Sequence, residues 1–180
     1  MSDLQLRIRA AREDDAAAVA AIYRPYVRDT AVSFEVEPPS PAVMAQRIQS
    51  TVETHPWLIA ENGVREIVGY VYAGKHRERP AYRRSVDTTI YALRQAAPGV
   101  ATAGISLRLR GDRPAQFGQC TSPRGDGAEA VGVHRDVGFK LGQWHDIGYW
   151  RLGLASGLAP TPEPIPFAAF QALPDFVAMS

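Results

Sequence analysis

Three short apolar runs decide the fold: WLIA (residues 57–60), IVGYVYA (67–73) and VDTTIY (86–91). Each is rich in β-branched and aromatic residues, which is typical of a strand. The first two runs are separated by a stretch that contains Asn62-Gly63, a common signal for a tight turn. We therefore expect these two runs to form an antiparallel hairpin, with the third run beside them as the next strand.

Upstream of these runs, the sequence predicts one strand and two helices. Apolar and polar residues alternate over residues 4–8, as they do in a half-buried strand. Apolar positions over residues 19–27 recur with helical spacing, and Pro25 is expected to kink or end this helix. Ser40 followed by proline is typical of a helix N-terminus, and a second apolar stripe follows over residues 44–52.

Downstream, residues 131–139 and 144–152 have the composition of a closing hairpin. Residues 92 to 130 show neither a helical nor a strand period, which is unusual for so long a segment inside a compact domain. Residues 159–180 are rich in proline, so we expect an extended or disordered tail. The predicted fold is α+β, with a mostly antiparallel sheet flanked by helices in one domain over residues 1–158.

Composition limits the classes of partner. The 180 residues are 46% hydrophobic and 22% charged with a net charge of +1, which is typical of a globular domain and argues against binding to nucleic acid or to an anionic membrane. No segment has the length of a signal peptide or a membrane span, and no metal-ligand spacing occurs. A single cysteine, Cys120, forms no internal disulfide, so we expect a cytoplasmic protein with a small-molecule partner.

Asp87 is the residue that most invites a chemical role. It lies in an otherwise apolar and hydroxyl-bearing strand, where a carboxylate can act as a general base. The structural alternative is a carboxylate paired with one of the arginines of residues 77–84. Those arginines have two interpretations as well: a fork for a substrate carboxylate or phosphinate, or a solvated loop.

Eight stretches together carry a family resemblance: IRAA (8–11), AIY (21–23), VSFEVEP (32–38), PWLIAE (56–61), GYVYAG (69–74), RERPAY (77–82), SVDTTIY (85–91) and FKLGQWHDIGYW (139–150). Over about residues 5–91 and 131–155, the chain resembles the GNAT acetyltransferases, in the branch of phosphinothricin and methionine sulfoximine or sulfone N-acetyltransferases. This resemblance implies a GNAT-like fold and transfer of an acetyl group from acetyl-CoA to the amino group of a small amino-acid analogue, without a metal or a covalent intermediate.

The resemblance also implies roles for particular residues. Asp87 falls where the family has a glutamate that deprotonates the amine, and its shorter side chain favours a bridging water. A further set would bind the substrate: Phe34, Arg77, Glu78, Arg79, Asp87, Thr88, Thr89, Lys140 and Trp144. Phe34, Lys140 and Trp144 would close the pocket, either from the same chain or from the other subunit of a homodimer. Ile90, Tyr91 and Ala92 would offer backbone groups to the pantetheine arm of acetyl-CoA.

Residues 92–130 depart from the family. The glycine-rich loop that binds the CoA pyrophosphate at a helix N-terminus has no counterpart at 92–105, and the helix that follows it in the family is missing. Ala115 to Gly127 can be back-translated so that the next reading frame spells PNSASALHHEAMG, which resembles the missing family segment. We therefore hypothesise two compensating frameshifts around this segment, genuine or introduced in sequencing.

Two alternatives to an active enzyme remain from the sequence. One is a catalytically silent GNAT-like protein that lacks a competent pyrophosphate loop. The other is a small-molecule-binding α+β domain with no relation to acyl transfer. Binding of acetyl-CoA separates the enzyme from both.

Overall fold

The computed structural model describes residues 6–93, 113–116, 129–151, 153 and 163–173. The strands and helices, in chain order, are β1 (Arg7–Ala10), α1 (Ala16–Asp29), α2 (Pro41–Val52), β2 (Trp57–Glu61), β3 (Ile67–Lys75), β4 (Val86–Ala92), β5 (Arg113–Gln116), β6 (Glu129–Lys140), β7 (Gln143–Arg151) and α3 (Phe167–Gln171). This order confirms the predicted α+β class. The altered segment between residues 94 and 128 lies outside the described residues, except for β5.

A four-stranded antiparallel sheet has the order β1-β2-β3-β4. Its register pairs Trp57 with Tyr72 and Tyr70 with Tyr91, so these four side chains share one face of the sheet. Helices α1 and α2 pack on that face, which is called the helix face below. The hairpin predicted from β2 and β3, and the position of β4 beside β3, are both confirmed.

The core lies between the helix face and the two helices. Its largest fully buried side chains come from both layers: Trp57, Ile22, Met44, Ile48, Ile59, Val19 and Val27. Three tyrosine rings add edge-to-face contacts, with Tyr91 centred 4.8 Å from Tyr23 and 4.9 Å from Tyr26. This packing fixes β4 against α1, and β4 carries the predicted base.

The helix signals in the sequence are confirmed, and one of the two alternatives for Pro25 is excluded. The Ser40 hydroxyl accepts the backbone N–H of Val43 at 3.2 Å, and Pro41 is the first residue of α2, as predicted. Pro25 does not end α1, because the helix continues to Asp29, and the alternative of a kink at Pro25 stays a prediction. Tyr26 and Val27 are buried after the proline, and their packing compensates for the backbone hydrogen bond that proline removes.

The first strand buries a charged residue rather than its apolar one. Ile8 is 48% exposed, whereas Arg9 points to the helix face and forms two 2.7 Å hydrogen bonds to the carboxylate of Asp15. Its Nε also donates to Glu61 at 2.6 Å. The expectation of a strand half-buried through its apolar residues is therefore wrong at Ile8, because the ion pair occupies the helix face.

The remaining strands form a second sheet in the order β5-β7-β6. Strands β6 and β7 are the predicted closing hairpin, with Phe139 opposite Trp144. Strand β5 lies in the segment where the sequence showed no strand period, and it pairs with β7 over residues 147–150. All described strand pairs are antiparallel.

The C-terminal tail is not simply extended. Residues 167–171 form the short helix α3, whose first amide, that of Phe167, donates to the carbonyl of Thr54 at 3.1 Å. Phe167 is buried, so an apolar anchor holds this part of the tail against the domain, and the expectation of an extended or disordered tail is wrong there. Within the described residues, no helix is both long and apolar enough to cross a bilayer.

Candidate functional site

The candidate site begins with Asp87 on the helix face of β4. The β3–β4 register places Gly74 opposite Asp87 and Tyr72 opposite Thr89. A Cβ built on Gly74 would meet no atom within 4 Å, so the space beside the Asp87 carboxylate is open. The side chain of Asp87 is 38% exposed. A small amine can therefore approach this carboxylate above the glycine.

His76 is the residue that meets Asp87. Its Nδ1 lies 2.9 Å from Oδ1 of Asp87, and the imidazole is only 15% exposed. The ring packs edge-on against Tyr82 with a centroid separation of 5.6 Å. Sequence reasoning did not place His76 in the site. The signal was its spacing, because His76 continues the alternation of Tyr72 and Gly74 by two residues.

A cavity of about 150 Å³ lies between α2 and the helix face, and its described lining includes neither His76 nor Asp87. It is lined by Tyr23, Met44, Arg47, Ser50, Thr51, Trp57, Tyr70, Tyr72 and Tyr91. The indole Nε1 of Trp57 is buried and has no hydrogen-bond partner among the described residues. The Arg47 guanidinium and the side chains of Ser50 and Thr51 give this largely aromatic cavity its polar groups.

A hydrogen-bond network closes the cavity on the side of α1. The Tyr23 hydroxyl lies 2.6 Å from the Ser33 hydroxyl and donates to Glu35 at 2.9 Å. Arg47 donates to both carboxylate oxygens of Glu35, at 2.8 and 3.1 Å. Burial raises the pKa of Tyr23 to about 12. Burial would also raise the pKa of Glu35, but Arg47 and Tyr23 hold it below its usual value. Glu35 is therefore an anion that orients Arg47.

The predicted arginine loop lies at the mouth of the site. Arg77, Glu78 and Arg79 are exposed in the β3–β4 connection. Arg77 donates to the carbonyl of His76 at 2.7 Å, which ties the loop to the residue that meets Asp87. Two arginines further along bind the tail instead: Arg83 makes two 2.7 Å hydrogen bonds to Glu163, and Arg84 makes one at 3.3 Å.

Four of the five predicted residues after Asp87 are divided between the two faces of β4 as follows. Thr89 and Tyr91 share the helix face with Asp87, whereas Thr88 and Ile90 lie on the opposite face. The Ala92 carbonyl accepts the Tyr26 hydroxyl at 2.6 Å. Because β4 is the outermost strand of its sheet, its second edge has no strand partner within the described residues of that sheet.

Three predicted residues lie where the β6–β7 hairpin meets the loop after α1. Lys140 Nζ donates to the backbone carbonyls of Val27 and Ser33. The Phe34 ring lies so close to Gly138 that a Cβ on the glycine would stand 2.3 Å from it. Trp144 is 60% exposed and contacts Phe139, with ring centroids 5.4 Å apart. Phe34 and Lys140 are thus brought together at this junction.

Comparison with curated proteins identifies the family. No protein-family model matches the chain. A phosphinothricin N-acetyltransferase of Alcaligenes faecalis is 30% identical over 171 residues, which cover 87% of this chain and 86% of the relative. The chain belongs to the phosphinothricin N-acetyltransferase family. A second phosphinothricin N-acetyltransferase, from Streptomyces viridochromogenes, is 29% identical over 87% of this chain and 92% of the relative.

Solved structures agree with this membership of the phosphinothricin N-acetyltransferase family. A GNAT superfamily phosphinothricin acetyltransferase from Sinorhizobium meliloti, determined in complex with AcCoA, matches with a TM-score of 0.73 and 28% identity. The match covers 91% of this chain and 97% of that structure. A putative acetyltransferase from Acinetobacter baylyi has a TM-score of 0.75 at 20% identity over 89% of this chain and 98% of its own, which supports the fold alone. The GNAT resemblance read from the sequence is confirmed.

Proposed function

We propose that this chain transfers an acetyl group from acetyl-CoA to the amino group of a small amino-acid analogue of the phosphinothricin, methionine sulfoximine or methionine sulfone type. The observation that carries the proposal is a carboxylate, Asp87, beside open space on β4 in a member of this family. The names of the curated relatives and the AcCoA complex of the Sinorhizobium meliloti structure support both substrates.

Asp87 is the proposed base. An amino acid carries its amine as an ammonium group near neutral pH, and the ammonium must lose a proton before it can attack. Asp87 takes that proton, directly or through a water. The amine nitrogen then forms a bond to the thioester carbonyl carbon, the carbon–sulfur bond breaks, and the second amine proton ends on the CoA sulfur. No metal and no covalent enzyme intermediate is needed.

The residues around Asp87 would hold the acceptor. Arg77 and Arg79 at the mouth offer charged forks to the carboxylate or phosphinate of the analogue, and Glu78 lies between them. Thr89 lies beside Asp87 on the same face, which supports its assignment to the substrate. Thr88 faces the other way, so it would contact substrate only from the opposite side of β4.

Acetyl-CoA fits the second edge of β4 in this proposal. The thioester supplies the activated acetyl group. Of the three residues assigned to the pantetheine arm, Ile90 and Ala92 direct backbone groups to the edge of β4 that has no strand partner in the described part of its sheet, and such an edge can pair with amides. The main chain of Tyr91 pairs with β3, and the Ala92 carbonyl already accepts the Tyr26 hydroxyl. The predicted departure from the family's pyrophosphate loop lies outside the described residues.

The remaining proposals concern assembly and location. Phe34, Lys140 and Trp144 would close the pocket, in a homodimer formed through the β6–β7 hairpin. We place the protein in the cytoplasm, where Cys120 stays reduced. We keep residues 1–158 as one catalytic domain and residues 159–180 as its tail.

A second candidate function follows from the altered segment. Residues 92–105 contain no glycine-rich pyrophosphate motif, which favours a catalytically silent relative that does not bind acetyl-CoA. The two candidates differ in one measurable property, the affinity for acetyl-CoA. They can be separated before any amine is tested.

The experiment is a calorimetric titration of acetyl-CoA into the chain as printed and into a version with the family reading frame restored over the altered segment. An active enzyme binds acetyl-CoA, and a concentration of 100 times Kd stabilises it by about 2.7 kcal/mol. Release of CoA thiol is then followed with phosphinothricin, methionine sulfoximine and methionine sulfone. Binding by the restored version alone supports the silent candidate and overturns the proposed enzyme.

A further inference from the structure

The hydrogen bond between His76 and Asp87 suggests a role for His76 that the family resemblance does not imply. The family comparison assigns a role to the carboxylate at position 87, whereas nothing in it assigns one to His76. The 2.9 Å contact joins Nδ1 of a largely buried imidazole to one oxygen of the proposed base. This inference rests on the proposed function.

The backbone places His76 where it can hold a carboxylate. The backbone N–H of His76 donates to the backbone carbonyl of Ser85, with an N···O distance of 3.4 Å. This contact extends the β3–β4 pairing one residue beyond Lys75. The side chain then lies on the helix face, diagonal to Asp87 across Gly74. Tyr82 packs against one side of the ring. The imidazole is therefore held by backbone pairing and ring packing, independently of its bond to Asp87.

Charged neighbours hold the backbone on either side of His76. Arg77 donates to the His76 carbonyl at 2.7 Å, and Lys75 forms a 3.3 Å ion pair with Glu78. Both of these contacts lie within the β3–β4 connection. Neither involves the imidazole of His76, which is hydrogen-bonded to Asp87. The ring is thus part of the site, while the loop charges lie on the exposed side.

We propose that His76 is a positioning residue for the base. An aspartate carboxylate lies on a shorter side chain than glutamate and rotates about two bonds, so its oxygens need an external partner to stay in one orientation. Nδ1–H of His76 donates to Oδ1 and fixes the carboxylate plane, which directs Oδ2 at the amine or its bridging water. No proton leaves or enters His76 during turnover.

The test compares two substitutions of His76. His76→Phe keeps the ring that packs against Tyr82 and removes the donor. His76→Asn places an amide N–H near the position of Nδ1 and removes the ionisable group. A matched control is His134→Phe, because His134 also packs edge-on against a tyrosine, Tyr149 at 6.3 Å, with no hydrogen bond to a carboxylate among the described residues.

The expected result is a split between kcat and binding. His76→Phe lowers kcat on the order of 100-fold, with the KM for acetyl-CoA unchanged, because a misplaced carboxylate acts only in the chemical step. His76→Asn recovers most of that loss, and His134→Phe keeps the wild-type kcat. Thermal unfolding of each variant checks that the fold is intact. A His76→Phe enzyme as fast as wild type, or a His76→Asn enzyme as slow as His76→Phe, overturns the proposal.

A second measurement does not need activity. Nitrogen-15 NMR of the histidine rings reports which nitrogen carries the proton, and His76→Phe assigns the signal. We expect the neutral His76 ring to be protonated at Nδ1 in the wild-type chain and to lose this preference in Asp87→Ala. A ring protonated at Nε2 overturns the pairing. Absence of turnover in a wild-type chain whose NMR shows the pair overturns the proposed function, and with it the role of His76.

Discussion

At the scale of single residues, the proposed chemistry depends on one carboxylate. Asp87→Ala removes the group that accepts the amine proton, so we expect kcat to fall by about 10²- to 10⁴-fold. The Kd for acetyl-CoA should stay unchanged, because the carboxylate is assigned to the amine. Steady-state kinetics and calorimetry measure the two quantities. Asp14→Ala, at an exposed carboxylate outside the site, is the control, and unchanged turnover in Asp87→Ala would remove Asp87 from the mechanism.

A second residue-scale prediction concerns stability in acid. Burial by itself raises the pKa of Asp15, but hydrogen bonds from Arg9 and from the Arg12 backbone hold it below its usual value. A lowered pKa in the folded state stabilises the fold above the unfolded pKa, and this stabilisation is lost as the pH falls through the folded value. We therefore expect the melting temperature to decrease as the pH is lowered below about 4.

Asp15→Asn tests this expectation. At pH 7 it should unfold at a lower temperature than wild type, because Arg9 loses a charged partner. Near pH 3 the difference should shrink, because the carboxylate of the unfolded chain then binds a proton that it must release to pair with Arg9 in the fold. Thermal melts at both pH values measure the two differences. Equal differences at pH 7 and pH 3 would show that Asp15 does not contribute to the acid sensitivity.

The residues of the site were predictable to different extents. Asp87 is singled out by the sequence because a carboxylate in an apolar strand is unusual, and the resemblance then implies its role as the base, which stays a prediction. His76 is not singled out, because its contact with Asp87 depends on the register of β3 and β4 and on one further residue of pairing. The sequence did not indicate Arg47 as a cavity residue. Its guanidinium is oriented by a hydrogen bond to Glu35, which lies in the loop between α1 and α2, and no local sequence pattern links the two residues.

At the scale of elements, the sequence predicted the helices and strands that depend on neighbouring residues better than those that depend on distant contacts. The N-cap at Ser40 and the alternation in β2 and β3 are local, and both are confirmed. Helix α3 was not predicted, and the sequence left open whether α1 ends at Pro25 or continues past it, because both outcomes depend on contacts with distant residues. Phe167 is an example of such a contact. The proline content predicts an extended or disordered tail, but the Phe167 amide donates to the Thr54 carbonyl and its buried ring anchors the tail to the domain.

The contact between the β6–β7 hairpin and the loop after α1 predicts the effect of a substitution on stability. Gly138→Ala places a methyl group 2.3 Å from the Phe34 ring, so the ring must move or the hairpin must shift. We expect a loss of about 1–3 kcal/mol in the free energy of unfolding. Gly132→Ala, on the same strand, meets no atom within 4 Å and is the matched control.

Denaturant titration measures both glycine variants. Gly132→Ala should unfold close to wild type, whereas Gly138→Ala should unfold at a lower denaturant concentration. Since Phe34 is also a predicted pocket residue, Gly138→Ala should raise the KM for the amine. Equal midpoints for the two variants would mean that the Phe34 contact does not hold the hairpin.

At the scale of the whole molecule, the site depends on how two sheets and one helix layer are arranged. In the proposed site, the four-stranded sheet would supply Asp87 and His76, and the β6–β7 hairpin of the second sheet would supply Lys140. Lys140 binds the carbonyls of Val27 and Ser33, so the hairpin is attached to the same α1–α2 loop that leads to Glu35. A substitution on the hairpin should therefore affect the acceptor pocket.

The last prediction concerns association of two chains. The hairpin leaves several apolar side chains exposed, among them Phe139 at 62% and Trp144 at 60%, and such a patch favours burial against a partner. We expect light scattering to give twice the 19.6 kDa mass of one chain. Phe139→Asp should shift the mass toward the monomer, because it places a charge in the apolar contact. Val64→Asp, at an apolar residue 74% exposed in the β2–β3 turn, should stay dimeric. A monomeric wild-type chain at micromolar concentration would contradict the dimer, and with it closure of the pocket by a second chain.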